Sequence, residues 1–371
     1  MARAGYGVSV ICPKGLGFEA ERERLEDVDI YRYHLPVDPT SRFGFVLEFG
    51  IAFLRTAWLS LLVQFRGRGF DVIHACNPPE TYWILGLFWR PFGKRFLFDH
   101  HDLSPELYEI KFGTRHGIVP FLIRRFEQAT FWAASVVIAT NESHKEVAVG
   151  RGGMAPEHVH VVRSAPALER FTVYPSDPIW RNGQRHLIAY LGEMGPQDGV
   201  DNLVDALAIL RDEFHRDDFH AVFIGGGTHR EAARRRADEL GLGDRTSFTG
   251  VVSDDELCRI LSSADLGVDP VPKNEWSDRS TMNKIMEYMF FGLPVVAFDL
   301  HETRVSAGEA GAFATPNLPR SLAVELDRLL DDDALRATMS TIARRRIEEI
   351  LSWEHSAPKL LEAYDDVFSD S

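Results

Sequence analysis

Ser280, Lys284 and Glu287 follow one another at i, i+4 and i+7 in the segment Asp278-Arg-Ser-Thr-Met-Asn-Lys-Ile-Met-Glu-Tyr-Met-Phe-Phe-Gly-Leu-Pro-Val-Val. On a helix that spacing puts a hydroxyl, an ammonium and a carboxylate on one face, while Met282, Ile285/Met286 and Met289 form an apolar stripe on the other. Ser280 or Asp278 suits the N-cap. Gly292 and Pro294 end the helix, and Pro294–Phe298 then reads as a buried strand. Unpaired N–H groups at a helix start, with a cation one turn in, bind phosphate; a carboxylate a turn further accepts both hydroxyls of a ribose. The same spacing also describes a solvated Lys–Glu pair on an ordinary helix.

Two further segments carry polar groups directly after apolar runs. Asp99-His-His-Asp-Leu-Ser-Pro-Glu-Leu-Tyr follows Arg95–Phe98, which puts His101 at the carboxyl end of a strand, where ligands bind in open parallel sheets. A histidine there donates to a sugar hydroxyl or a phosphate oxygen, or merely solvates a turn. His74-Ala-Cys-Asn-Pro-Pro-Glu offers Asn77 and Glu80 in the same way, although its prolines also serve to end the strand. Tyr190-Leu-Gly-Glu-Met-Gly-Pro-Gln-Asp-Gly-Val-Asp and Phe223-Ile-Gly-Gly-Gly-Thr are glycine-bearing turns between strand and helix. Neither matches the dinucleotide fingerprint or the P-loop, which weighs against dinucleotide oxidoreductases and NTPases. Asp27 and Asp29 lack a strand-end setting, and no metal site is expected.

The elements that must position these residues alternate along the chain. Strands are predicted at Val8–Cys12, Ile30–His34, Val72–Ala75, Arg95–Phe98, Val136–Ala139 and His158–Val162. A second series comprises Leu187–Leu191, Ala221–Ile224, Ser247–Thr249, Leu266–Val268 and Pro294–Phe298. Amphipathic helices such as Asp201–Phe214, Arg230–Leu240 and Asp255–Ser262 lie between them, a pattern that means α/β architecture with parallel sheets. The pattern runs twice within 371 residues, broken at Pro166–Arg185, which reads as an interdomain linker. Charge divides at the same place. The chain holds 41 basic and 55 acidic residues, net -14, yet residues 1–170 hold 20 and 19 of these, so the acidity belongs to the second half. So acidic a balance argues against nucleic acid as a partner. Cys12, Cys76 and Cys258 are far apart and form no Cys-x-x-Cys, as expected of a reducing cytoplasm. The opening Met1-Ala-Arg-Ala-Gly-Tyr-Gly runs straight into Val8, like the end of a helix before a second strand. The first domain is therefore expected to lack its first, central strand, unless it simply starts with a loop.

Jointly, Phe70-Asp-Val-Ile-His-Ala-Cys-Asn-Pro-Pro-Glu, Phe98-Asp-His-His-Asp-Leu-Ser-Pro-Glu-Leu-Tyr, Gly195-Pro-Gln-Asp-Gly, Phe248-Thr-Gly-Val and Ser280–Gly292 resemble the family-4 glycosyltransferases of the GT-B fold, in particular the bacterial branch that builds surface polysaccharides. The resemblance covers nearly the whole chain. It implies two Rossmann-like domains facing a cleft: an acceptor-side domain at 1–170, a nucleotide-sugar domain at 171–352, and a helix at 353–371 crossing back. It implies retaining transfer from a nucleoside diphosphate sugar, most commonly a UDP-sugar, to a glycan or polyprenyl-linked acceptor, with no cofactor and no metal.

Carried over by position, Glu287 matches the second acid of the family's Glu-x7-Glu and holds the donor ribose; Arg279 stands where the first acid would be, beside Asp278. Ser280, Thr281, Met282 and Asn283 match the diphosphate cradle, Lys284 neutralises it, and His101 matches the active-site histidine. Gly195, Gly250, Val251, Asp278 and Asn77 are expected to contact substrate. Glu193 and Asp198 stand where many members carry an Arg/Lys pair, so Arg163 is expected to compensate. A sugar-nucleotide epimerase on the same fold and a non-catalytic partner subunit are the alternatives.

The apolar stretch Phe43–Phe65 is broken by Glu48 and Arg55, which makes it a poor membrane span. Arg42, Arg55, Arg66 and Arg68, with Arg90, Lys94 and Arg95 ending the apolar run from Tyr82, suit a peripheral surface on an anionic inner leaflet. They equally suit buried helices whose arginines reach out to water.

Overall fold

In the second half, apolar runs become strands buried on both faces. The computed structural model of this chain describes residues 1–15, 17–35 and 42–369, excepting the side chains of residues 42, 43, 45 and 46. It divides into two compact units, Met1–Val161 with Lys359–Ser371, and Val162–Pro358.

The first unit contains β1 (Val8–Pro13), β2 (Arg22–Leu25), β3 (Val28–Tyr33), β4 (Val72–Cys76), β5 (Arg95–His100), β6 (Val136–Ala139) and β7 (Val159–Val161). They form two separate sheets, β1-β3-β2 and the parallel β4-β5-β6-β7. β1 and β4 are each a sheet edge, and both are less buried than β6, which is buried at every residue. Among the described residues no strand joins them. β2 escapes a search for apolar alternation because Arg-Glu-Arg-Leu is wholly exposed; it pairs antiparallel with β3 across a turn whose Glu26 and Asp27 have positive φ.

The second unit contains β8 (His186–Leu191), β9 (Phe219–Ile224), β10 (Thr246–Gly250), β11 (Leu266–Asp269), β12 (Val295–Phe298) and β13 (Gly311–Ala314), all parallel in the order β10-β9-β8-β11-β12-β13. Helices cover both faces, so Ile188 and Tyr190 enter one apolar cluster while their alternates Leu187 and Ala189 enter the other. β13 was not predicted, since Gly-Ala-Phe-Ala is too small-sided to read as a strand; pairing with β12 makes it one. Chain order reverses direction between β8 and β11, and a crevice opens at such a point beyond the carboxyl ends of the strands.

Pro166–Arg185 is not a free linker. Tyr174 N and Asp177 N donate to Ser262 Oγ and Ser263 Oγ, each at 2.9 Å, and Arg181 pairs with Asp265 at 2.6 Å. Those contacts draw the segment into the second unit and put the division ahead of residue 170. The final helix, Trp353–Ser369, gives its residues through Pro358 to the second unit and the rest to the first.

Candidate active site

The helix expected to carry the phosphate cradle spans Asn283–Phe290. It starts later than the sequence suggests, and neither Ser280 nor Asp278 caps it. Ser280 is extended and its hydroxyl donates to Trp276 O at 2.7 Å. Asp278 accepts from His301 N at 2.8 Å and pairs with Lys273 at 3.1 Å. The residue before the helix is Met282, so its first turn has no side-chain cap and no acidic residue. Its leading N–H groups have no partner within the helix.

Tyr288 fixes where that helix end points. β8 and β11 pair only at Leu266–Ile188 and Gly267–Ala189 before they diverge. Into the opening the buried Tyr288 hydroxyl inserts, accepting from Leu191 N at 2.7 Å and donating to Val268 O at 3.1 Å. Gly267 makes room, because a Cβ there would lie 2.3 Å from the Tyr288 ring. Lys284, one residue into the helix, sits above this opening. Its Nζ lies 3.6 Å from Asp269 Oδ1 and 4.6 Å from the centroid of the Tyr190 ring. Burial alone would lower the Lys284 pKa, but Tyr190, Asp269 and Asp198 outweigh it and raise it. Asp269, at the end of β11, is fully buried, with Lys284 as its ion-pair partner. Lys284 thus stays charged, anchored from beneath. One turn on, Glu287 is partly exposed and its carboxylate accepts no hydrogen bond from the described residues; burial raises its pKa while Arg170 and Lys284 oppose the rise.

The glycine turns at the same edge are packed backbone to backbone. A Cβ on Gly225 would lie 2.0 Å from Gly192 O, and one on Gly227 would lie 2.5 Å from Met194 N. Gly195 N donates to Asp198 Oδ2 at 2.8 Å, so Asp198 closes this turn. Gly250 ends β10 at φ 76, its carbonyl accepts from Gly225 N at 2.9 Å, and Val251 beside it is 84% exposed.

In the first unit, His101 follows β5 and its ring stands 41% exposed at the sheet edge. Its Nε2 lies 3.1 Å from Asp99 Oδ2, which His74 Nε2 also approaches at 2.9 Å. Hydrogen bonding to Asp99, then to Cys76, pushes the His101 pKa up to about 10 against burial, so the ring is an imidazolium at neutral pH. Asn77 is buried beneath. Its Oδ1 accepts from His101 N at 2.7 Å and Asp102 N at 3.2 Å, while its Nδ2 donates to Asp102 O and Glu80 Oε1, both at 2.6 Å. Ser104 Oγ also donates to Glu80 Oε1, at 2.6 Å. Asn77 and Glu80 therefore hold the His101 loop instead of facing solvent.

Two family descriptions match, in series. "Glycosyl transferase 4-like domain" covers residues 1–165, and "Glycosyl transferases group 1" covers residues 185–332. The chain belongs to the group 1 glycosyltransferases.

Among its relatives, the D-inositol 3-phosphate glycosyltransferase of Jonesia denitrificans is 30% identical over 57% of this chain and 52% of its own length, so the match spans about half of that relative. Sucrose-phosphate synthase from Thermosynechococcus elongatus has the same fold, with TM-score 0.78 at 20% identity, covering 100% of this chain and 91% of that one. Anabaena HepE, solved in complex with UDP, superposes with TM-score 0.68 at 16% identity over 92% and 87%. The fold of this glycosyltransferase is GT-B, two Rossmann-like domains.

Within the glycosyltransferase, the turns at Gly195 and Gly250–Val251, the segment Ser280–Asn283, Lys284 and Glu287 all lie at the carboxyl edge of one parallel sheet. Arg163 does not supply a spare cation, because its guanidinium donates to Glu302 Oε2 at 2.8 Å and Ser306 Oγ at 3.3 Å. Asp269, Tyr190 and Tyr288 were missed in the sequence. A carboxylate closing an apolar strand, Leu-Gly-Val-Asp, was the available signal for the first.

Proposed function

We propose that this glycosyltransferase moves a sugar from a UDP-sugar to a glycan or polyprenyl-linked acceptor in polysaccharide biosynthesis, with retention of configuration. The observation that carries this reading is the uncapped start of Asn283–Phe290, with Lys284 held at its first turn and Glu287 unengaged one turn on. The N–H groups and Lys284 take the diphosphate, Glu287 takes the ribose hydroxyls, and the Gly250–Val251 turn lies against the base. In the reaction the bond between the anomeric carbon and the phosphate oxygen breaks and a bond to the acceptor oxygen forms on the same face. The departing phosphate takes the acceptor proton, so no general base is needed. Charge accumulates on that phosphate, where fixed N–H dipoles and Lys284 stabilise it without reorganisation, an effect worth several kcal/mol. The transfer needs no metal for this, and His101 orients and stabilises the donor sugar.

The acceptor reading rests on the helix Arg42–Arg66. Its buried residues include the small Ala52 and Ser60, while Leu54, Trp58 and Phe65 point outward at 67%, 60% and 76% exposure. By length and composition alone Leu47–Arg66 is apolar enough to cross a membrane, and 17% of that window is buried. With Arg55 and Arg66 also exposed, this surface suits an anionic leaflet and a lipid-linked acceptor at the inner face of the cell membrane. Arg42's side chain lies outside the described residues.

Thermal unfolding with a panel of nucleotide sugars tests the donor reading. A ligand at a hundred times its Kd adds about 2.7 kcal/mol. UDP-sugars are expected to raise Tm in the native chain and to raise it less in Glu287→Ala at the same concentration; no response to any nucleotide sugar would overturn the reading. Product that forms only when an acceptor is present separates transfer from epimerisation.

A further inference from the structure

We propose that His74, Cys76, Asp99 and His101 form a binding site for a thiophilic divalent cation of the zinc class, and that filling it withdraws His101 from transfer. The ligand set stands on geometry alone; only the loss of transfer rests on the reading of His101 given above.

β4 and β5 are parallel neighbours in a register that pairs Cys76 with Asp99. Alternate residues of a strand share a face. His74 and Cys76 therefore project from β4 on the side from which Asp99 and His101 project from β5 and its end. A rigid pair of strands thus gathers two imidazoles, a thiol and a carboxylate. The donor atoms of His74, Cys76 and Asp99 all lie within 4.8 Å of one another. From Asp99 Oδ2, the distances are 2.9 Å to His74 Nε2, 3.1 Å to His101 Nε2 and 3.7 Å to Cys76 Sγ. A tetrahedral zinc, about 2.0–2.3 Å from each nitrogen, oxygen and sulfur, holds its ligands about 3.3–3.7 Å apart. His74, Cys76 and Asp99 can therefore close around such an ion with side-chain shifts of up to about an ångström, and His101, beside Asp99, completes the set by a larger movement of its exposed ring.

Chemistry selects the ion. Two nitrogens and a sulfur disfavour calcium and magnesium, which take oxygen ligands, and favour zinc or its congeners. A thiolate and a carboxylate neutralise the dication, with the displaced thiol and imidazole protons passing to solvent. The outer shell is also in place. His74 Nδ1 lies 2.9 Å from Tyr364 Oη, the kind of partner that fixes ring and tautomer in metal-bound histidines. Cys76 and His101 are exposed, which gives the ion a way in.

The experiment titrates the full chain with Zn²⁺ by calorimetry, and with Co²⁺ by absorption, where a bound thiolate gives a near-ultraviolet charge-transfer band and tetrahedral geometry gives intense visible bands. One cation per chain is expected at micromolar affinity or tighter, with the thiolate band present. Cys76→Ser and Asp99→Asn should each weaken binding at least about 10-fold, and circular dichroism confirms that each variant is folded. If Asp99→Asn fails to fold, the exposed Cys76→Ser decides. Zinc at the same concentration should suppress transferase activity, with EDTA restoring it. Absence of saturable binding, an octahedral cobalt spectrum without the thiolate band, or unchanged affinity in Cys76→Ser would overturn the site. Binding with undiminished transfer would uphold the ligand set and overturn the active-site role of His101.

Discussion

His101 and Glu287 sit in opposite surroundings, and their variants should fail in opposite ways. His101 is a cationic donor held by Asp99 above and Asn77 below, so His101→Ala should cut kcat by about 100-fold or more while leaving donor Kd within about 3-fold, an effect confined to the transition state. Glu287→Ala should instead raise donor Kd by about 10-fold or more, read by calorimetry with UDP. Near-normal turnover in the first variant, or unchanged affinity in the second, would remove the assigned role. Glu80 titrates differently. Burial pushes its carboxyl from the ordinary 4.5 up to about 7, opposed by hydrogen bonds from Ser104 and Asn77, with Asp102 adding to the rise and Arg151 opposing it. The folded chain therefore keeps a proton that the unfolded chain has lost. This contribution to stability is complete below pH about 4.5, falls as pH rises, and is gone above about 7. Glu80→Gln keeps an acceptor for Asn77 and Ser104 and should flatten the fall of Tm across that window; an unchanged slope would exclude Glu80 as its source.

At the scale of elements, one hydroxyl, that of Tyr288, ties the helix Asn283–Phe290 to the opening between β8 and β11. Tyr288→Phe would strand the N–H of Leu191 and the C=O of Val268 in the crevice between β8 and β11. Leaving buried groups unpaired costs about 1–3 kcal/mol. For a unit of this size each kcal/mol lowers Tm by about 2–4 °C. Donor affinity should fall with it, because Lys284 and Glu287 ride on the same helix. A variant with native Tm and native UDP affinity would show that Asp269 and Lys284 alone set the helix position. Most of these elements are legible in the sequence, since β8, β9, β11 and β12 are continuous apolar runs between amphipathic helices. β2 and β13 are not. One is charged throughout and the other is built of small residues, so neither carries a pattern, and only a neighbouring strand makes them strands.

At the scale of the whole molecule, the apolar helix Arg42–Arg66 and the charge balance meet. Trp58→Ser with Phe65→Ser alters only outward side chains, so the fold should hold while flotation with anionic vesicles is lost; raised salt should weaken flotation of the native chain. Flotation independent of anionic lipid would overturn the membrane reading. The sequence by itself determined the α/β class, the doubled pattern, the family resemblance and the helix bearing Lys284 and Glu287, because these depend on periodicity and on residues close together in the chain. It could not determine that Arg163 is taken by Glu302, that Asn77 lies under His101, or that Asp269 anchors Lys284. Those pairings join residues on different elements, up to 139 positions apart in sequence. Whether a charge is free to meet a ligand depends on its buried neighbour, and only the parallel packing of the strands brings that neighbour within reach.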